Sequence, residues 1–352
     1  MKARSHAKKG DVAEAEKLYQ SVLQVFSKNK RAQQGLAALN KINNMTKSFS
    51  QATIDQLVEL YNQGQFAAVV EQAQVITKQY PETFIIWNIL GISAVQINMR
   101  DQAIAAFKKV ISLKPGYAEA HYNIGVVYQD QGKFNEAIKA YKKCILIKPN
   151  SAQAFSNMGN ALQNCGSIAE AIWAYNQSIL LNPRYADNYN NMGNALQTYG
   201  KLDDAIDAYK KAISIKPNHA EAYNNMGNAL KDKGKEDEAI EVYNKAISFK
   251  SDYTDAYYNL GNVLKDQGKL EDAIDSYKKA ISINSNHAEA YSKMGNALKD
   301  QGKLDKAIEA YTKTLSINPD YMDTYNSLGN ALQNKGKLEE AIEAYNKVLI
   351  LN

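Results

Sequence analysis

The sequence predicts an all-α fold, a solenoid of stacked helix-turn-helix units, and three observations carry that prediction. Glycine stands at positions 91, 125, 159, 193, 227, 261, 295 and 329, a fixed step of 34 residues. A period of that length marks a helical repeat array. Alanine keeps the same step at 103, 137, 171, 205, 239, 273, 307 and 341, and four residues after each comes an aromatic: Phe107, Tyr141, Tyr175, Tyr209, Tyr243, Tyr277, Tyr311 and Tyr345. All six prolines (Pro81, Pro115, Pro149, Pro183, Pro217 and Pro319) fall at one phase of the repeat.

Each element follows from that phase. With Ala220 as position 1, Tyr223, Met226, Gly227 and Leu230 (positions 4, 7, 8 and 11) form one apolar stripe at helical spacing. Ala239, Ile240, Tyr243, Ala246 and Ile247 (positions 20, 21, 24, 27 and 28) form a second stripe on a second helix. Between them recurs glycine at position 15, at 132, 166, 200, 234, 268, 302 and 336 and earlier at 64, the left-handed residue expected just past a helix end. Proline at position 32 stops the second helix; Ser251 and Ser285 take its place in two units, where a looser turn is expected. The position-8 glycines cost about 1 kcal/mol each inside a helix. Close approach of the facing helix, with the position-20 alanine as partner, is the expected compensation.

Residues 84–352 therefore divide into eight units of 34 residues, the last cut short, and residues 50–83 form a degenerate one in which Leu57 and Val69 replace the glycine and alanine. Residues 1–40 read as amino-terminal helices. Gly10, Ala15 and Tyr19 keep the spacing of positions 15, 20 and 24 as an out-of-frame repeat remnant, and Arg31 to Leu39 follows as a short helix. Residues 41–49, polar and rich in Asn and Ser, are expected to be a linker that breaks the phase.

These residues resemble the tetratricopeptide repeat: an aromatic at position 4 (Trp87 among them), Leu or Met at 7, Gly at 8, Ala at 20, Tyr at 24 and Pro at 32. The resemblance implies a right-handed α-solenoid, a superhelix whose concave groove is lined mainly by first helices and binds peptide segments or other proteins. One mode within that family, the carboxylate clamp for chaperone tails, uses lysine at position 5, asparagines at positions 9 and 6, and basic residues at positions 2 and 6 of a third repeat. Position 5 holds no lysine and position 2 is mostly acidic, which argues against that mode.

The chemistry of the chain points the same way. Net charge is +5, with ten Lys/Arg against Asp11, Glu14 and Glu16 in residues 1–50. No aromatics are interleaved with those charges for base stacking, so a solvated helix face is expected and no specific nucleic acid. The longest apolar run, Phe84 to Ile97, is broken by Asn88, Ser93 and Gln96 and is short of a membrane span. A polar start with no leader and only two cysteines, Cys144 and Cys165, suggest a cytoplasmic protein without disulfides. The four histidines show no metal-ligand spacing, and no phosphate loop or nucleophile elbow occurs. No catalytic, cofactor or metal residues are expected. Acids at position 2 are assigned to helix N-termini, and pairs such as Asp207/Lys211 to a solvated outer face.

Two rows of asparagine remain. Position 6 carries Asn123, Asn157, Asn191, Asn225 and Asn259, and position 9 carries Asn160, Asn194, Asn228, Asn262, Asn296 and Asn330. Asparagine is a mediocre helix former, but its amide offers donors and an acceptor suited to an extended peptide backbone. The position-6 row resembles the asparagine ladder of O-linked N-acetylglucosamine transferase, and the array is similar to those of bacterial proteins that append a glycosyltransferase or sulfotransferase. The chain is accordingly expected to be a non-catalytic interaction scaffold, or alternatively the substrate-recognition arm of a larger enzyme. Toward the amino-terminal end the same concave positions are Ile85, Ile89, Ile92 and Val95, preceded by Ile54, Val58 and Tyr61. This apolar patch is expected to be covered by residues 1–40, a partner or a ligand. The apolar end of the last helix, Tyr345 and Val348 to Leu351, suggests end-to-end self-association.

Overall fold

The structure, a computed structural model, describes residues 2–8, 11–48 and 51–351, and every regular element among them is a helix. It forms two compact units, Met1–Gly166 and Ser167–Asn352. In the first lie α1 (Lys2–Lys8), α2 (Val12–Val25), α3 (Lys30–Ser48), α4 (Gln51–Asn62), α5 (Phe66–Gln79), α6 (Phe84–Gln96), α7 (Arg100–Leu113), α8 (Ala118–Asp130), α9 (Phe134–Ile147) and α10 (Ala152–Asn164). The second holds α11 (Ile168–Leu181), α12 (Ala186–Thr198), α13 (Leu202–Ile215), α14 (Ala220–Asp232), α15 (Glu236–Phe249) and α16 (Thr254–Asp266). It continues with α17 (Leu270–Ile283), α18 (Ala288–Asp300), α19 (Leu304–Ile317), α20 (Met322–Asn334) and α21 (Leu338–Leu351).

The repeat turn is closed by backbone alone. Gly234 has φ 76°, its N–H donates to the Lys231 carbonyl at 2.8 Å, and the Lys235 N–H donates to the Leu230 carbonyl at 2.9 Å. Both bonds satisfy carbonyls orphaned at the helix end. In the unit that lacks this glycine, Asn98 takes the left-handed conformation with φ 63° and makes the same two bonds, Asn98 to Val95 and Met99 to Ala94. Second helices followed by Ser251 or Ser285 end at the same repeat position as the one before Pro217, so serine there does not lengthen or shorten the helix.

What faces the position-8 glycine is the aromatic ring of position 24, not the alanine of position 20. A Cβ on Gly227 would lie 2.5 Å from Cε1 of Tyr243, and the same socket recurs at Gly91 over Phe107 and at Gly125, Gly193, Gly261, Gly295 and Gly329 over their tyrosines. The ring needs the whole width of the helix surface; the alanine is buried beside it. Repeats are then stitched at their turns. Position 14 reaches position 18 of the preceding repeat in Lys233–Asp203 and Lys335–Asp305, in Gln267 Nε2 to Asp237 at 3.0 Å, and in Cys165 Sγ to Asn135 at 3.7 Å.

The amino-terminal helices correct one expectation. Residues 41–48 are not an irregular linker but the last turns of α3, because no glycine or proline interrupts them and asparagine costs a helix only a few tenths of a kcal/mol, roughly. Residues 49 and 50 lie outside the described residues, as does Gly10. Tyr19 of α2 packs its ring where a Cβ of Gly35 on α3 would be.

Candidate peptide-binding face

Within each unit, first helices of successive repeats touch one another: α4 with α6, α6 with α8 and α8 with α10, and in the other unit α12 with α14, α14 with α16, α16 with α18 and α18 with α20. Second helices show no comparable pairing within either unit among the described residues. Each unit thus curves toward its first helices, and positions 2, 5, 6, 9 and 12 of those helices face the inside of the curve.

The asparagines on this face are wired into the scaffold, which the sequence did not reveal. At position 9 the amide carbonyl accepts from the position-24 tyrosine of the same repeat: Tyr209 to Asn194 at 2.8 Å, Tyr243 to Asn228 at 2.7 Å, Tyr277 to Asn262 at 2.9 Å, Tyr311 to Asn296 at 2.8 Å and Tyr345 to Asn330 at 2.8 Å. Where position 9 is Val126, Tyr141 turns to Gln129 at 3.0 Å instead. Burial raises the pKa of Tyr141, Tyr209, Tyr243, Tyr277 and Tyr311 well above the ordinary phenol value, so these hydroxyls remain donors throughout the neutral range.

Position 6 reaches across the repeat boundary. Asn157 donates to the Tyr122 hydroxyl at 3.0 Å, Asn225 to Asn190 at 3.1 Å and Asn259 to Asn224 at 3.1 Å. The acceptors are position-5 residues, and Asn190 and Asn224 are only 2% and 4% exposed. Asn224 in turn donates to Asn225 at 3.4 Å, and Asn190 to Glu221 at 3.2 Å. One amide relay therefore runs from Asn259 through Asn224, Asn225 and Asn190 to a carboxylate of position 2. These asparagines bond across repeats, to partners 35 residues away, beyond any helix-propensity argument. Asn160 and Asn191 are engaged as well, and Asn123 makes no hydrogen bond among the described residues. Position 12 adds a third ladder, to position 13 of the next repeat: Gln197 to Asp232 at 2.7 Å, Lys231 with Asp266 at 3.7 Å and Lys265 with Asp300 at 3.8 Å.

What the wiring leaves over is donors. The amide nitrogens of Asn194, Asn228, Asn296 and Asn330 take no acceptor among the described residues, while the tyrosine bond to each carbonyl fixes the amide plane. In the first unit Ile85, Ile89, Ile92 and Val95 are half-buried on α6, packed with Ile54 and Tyr61 against a core of Leu57, Ile86 and Leu90. Val58 beside them is exposed. The last helix, α21, exposes Ile342, Leu349 and Ile350. On the outer face Asp207 pairs with Lys210 at 3.8 Å, three residues on and not four. Among the described residues no group of three or more His, Cys, Asp or Glu is placed to hold a metal, and no helix is long and apolar enough to cross a membrane.

Comparison with known proteins adds a family. The sequence pattern described as the cilia and flagella-associated protein 70 C-terminal domain matches residues 30–291, and tetratricopeptide-repeat patterns match residues 276–309, 295–336 and 323–352. The chain is 27% identical over 115 residues to the peroxisomal targeting signal receptor of Saccharomyces cerevisiae, 30% of this chain and 19% of the receptor. To that of Candida albicans it is 29% identical over 117 residues, 32% of this chain and 19% of the receptor. The match thus spans about a fifth of the length of these receptors. Among solved structures it is similar to MamA, with 37% identity over 46% of this chain and 94% of that one and a TM-score of 0.44. It is also similar to pilF of Pseudomonas aeruginosa, with 18% identity over 57% and 92% and a TM-score of 0.51. The pilF likeness agrees with the all-helical repeat fold.

Proposed function

Because the chain belongs to the family of the cilia and flagella-associated protein 70 C-terminal domain and is built of tetratricopeptide repeats, we propose that it is a non-catalytic interaction scaffold holding extended polypeptide against its first helices. The observation that carries this reading is the row of amide nitrogens at position 9, held by tyrosine hydroxyls and left with N–H groups to give. Extended backbone presents carbonyls at intervals and needs such donors. A fixed donor loses little freedom on binding, which favours affinity. The receptors matched above are by name receptors for a targeting signal, in keeping with recognition of a protein segment. In the first unit, taken by itself, the half-buried Ile85, Ile89, Ile92 and Val95 offer a seat for apolar side chains of a polypeptide.

The test must spare the tyrosine bond. Alanine at 228 or 296 would strand the buried hydroxyl of Tyr243 or Tyr311, whereas aspartate keeps an oxygen for it and deletes the amide N–H donors. The triple variant Asn194→Asp, Asn228→Asp, Asn296→Asp is expected to stay helical by circular dichroism and to capture uncharged extended peptides about fivefold or more weakly, one to two hydrogen bonds' worth. Undiminished capture by a folded variant would move the binding site to the apolar patch.

A further inference from the structure

The turn joining α2 to α3 is placed like the later repeat turns but carries a different surface. Counted from Ala15 as position 20, Val25 and Phe26 occupy positions 30 and 31. From residue 84 on, position 31 is always lysine or asparagine, as at Lys114, Asn182 and Lys216. Here it is phenylalanine, and Phe26 is 65% exposed with Val25 beside it at 72%. Val22, at a position buried in later repeats as Val110 or Ala212, is open at the edge of the pair. Residues 24–31 are all exposed, so the turn stands out as a tip. Its backbone is closed: the Phe26 N–H donates to the Val22 carbonyl at 2.8 Å and the Asn29 N–H to the Phe26 carbonyl at 3.0 Å. The Ala32 N–H donates to Asn29 Oδ1 at 3.1 Å, and Gln33 Nε2 to the Ser27 carbonyl at 3.0 Å. The apolar pair is thus presented on a fixed turn that loses little freedom on binding.

The charge around the tip has one sign. Between Glu16 and Asp55 the sequence holds no acid and six bases, Lys17, Lys28, Lys30, Arg31, Lys41 and Lys47. Lys28, Lys30 and Arg31 follow Phe26 within five residues, are exposed, and form no ion pair among the described residues. A protruding apolar pair beside unpaired cations matches a surface that is anionic at its face and hydrocarbon beneath. Nucleic acid offers phosphates, but Val25 has no π face to stack on a base. A lipid surface, being deformable, takes in a convex tip without a matching pocket.

We infer that the α2–α3 turn docks the chain on an acidic lipid surface, Val25 and Phe26 entering the acyl boundary while Lys28, Lys30 and Arg31 meet the anionic headgroups. The inference is independent of polypeptide binding by the first helices of the repeats. Attachment of this kind needs no spanning helix.

The test is co-sedimentation of the full chain with vesicles of phosphatidylcholine alone and of phosphatidylcholine with about one third phosphatidylserine. The chain is expected to bind the acidic vesicles and leave the neutral ones. Replacing Lys28, Lys30 and Arg31 together by glutamine removes three bases, each contributing about fivefold, so binding should fall about a hundredfold. Val25→Ser with Phe26→Ser should weaken it about tenfold or more. All five side chains are exposed, so helical circular dichroism should be unchanged in both variants. Phe26→Trp is expected to add a blue-shifted emission on acidic vesicles, over the signal of Trp87 and Trp173 in the parent. That shift reads entry into hydrocarbon, which charge attraction alone does not produce. Failure to bind the acidic vesicles overturns the inference. So does binding that the serine variant keeps in full, with no shift at residue 26. A DNA duplex of random sequence is the third probe. If it is held more tightly than the vesicles, and the serine variant holds it equally well, the bases serve nucleic acid and the lipid assignment falls.

Discussion

A single glycine shows how closely each repeat is fitted. The Tyr243 ring lies over Gly227 so tightly that an added Cβ would sit 2.5 Å from it, and the ring is fully buried. Gly227→Ala gains about 1 kcal/mol of helix propensity but overpacks a core that has no slack, at about 1–3 kcal/mol. We expect a net loss of about 1 kcal/mol, read from urea denaturation. Asn98 is the opposite case. Its φ of 63° is strained for any residue with a Cβ, mildly so for asparagine, and Asn98→Gly should raise stability by up to about 1 kcal/mol in the same assay. The turn glycines were legible in the sequence because left-handed backbone has one preferred occupant. Asn98 was not, because its role was visible only by its place in the register.

Between helices the amide ladders carry the register from one repeat to the next. Asn225→Ala would strand the Oδ1 of Asn190, a buried acceptor, and the cost of an unsatisfied buried group is about 1–3 kcal/mol. The loss should appear as lower stability with little change in helix content at low temperature. A variant as stable as the parent would show that the relay contributes nothing. Sequence reasoning located these side chains on one face of the first helices, since helical spacing alone decides that. It could not find their partners, Asn190, Asn224 and the position-24 tyrosines, because each lies in another helix and the contact depends on how helices stack. The same limit explains α3: composition suggested a linker over 41–49, but the described turns through Ser48 are helical.

Across the whole molecule the tyrosine row sets a limit in alkali. Burial raises the phenol pKa of Tyr141, Tyr175, Tyr209, Tyr243, Tyr277 and Tyr311, and that of Tyr253 to about 12. The folded chain therefore holds these protons more tightly than the unfolded one. That stabilisation is intact below about pH 10, where unfolded tyrosines are also protonated, and is lost as pH rises through the folded values. Helical circular dichroism should collapse cooperatively above about pH 10, together with a burst of tyrosinate absorbance. Tyrosines titrating independently, with the helices unmoved, would contradict this account.

The stitching at the turns also bears on how such a gene can change length. Lys233 meets Asp203, and one repeat later Gln267 meets Asp237. If unequal crossing-over removed the 34 codons for residues 220–253, Gln267 would meet Asp203, again a donor against a carboxylate. Asn259 would meet Asn190 where it had met Asn224, again an amide against an amide. The seam left by such an event has the chemistry of every other seam, so loss or gain of a whole repeat is nearly silent for folding, while any deletion out of phase sets lysine and glutamine against the wrong neighbours.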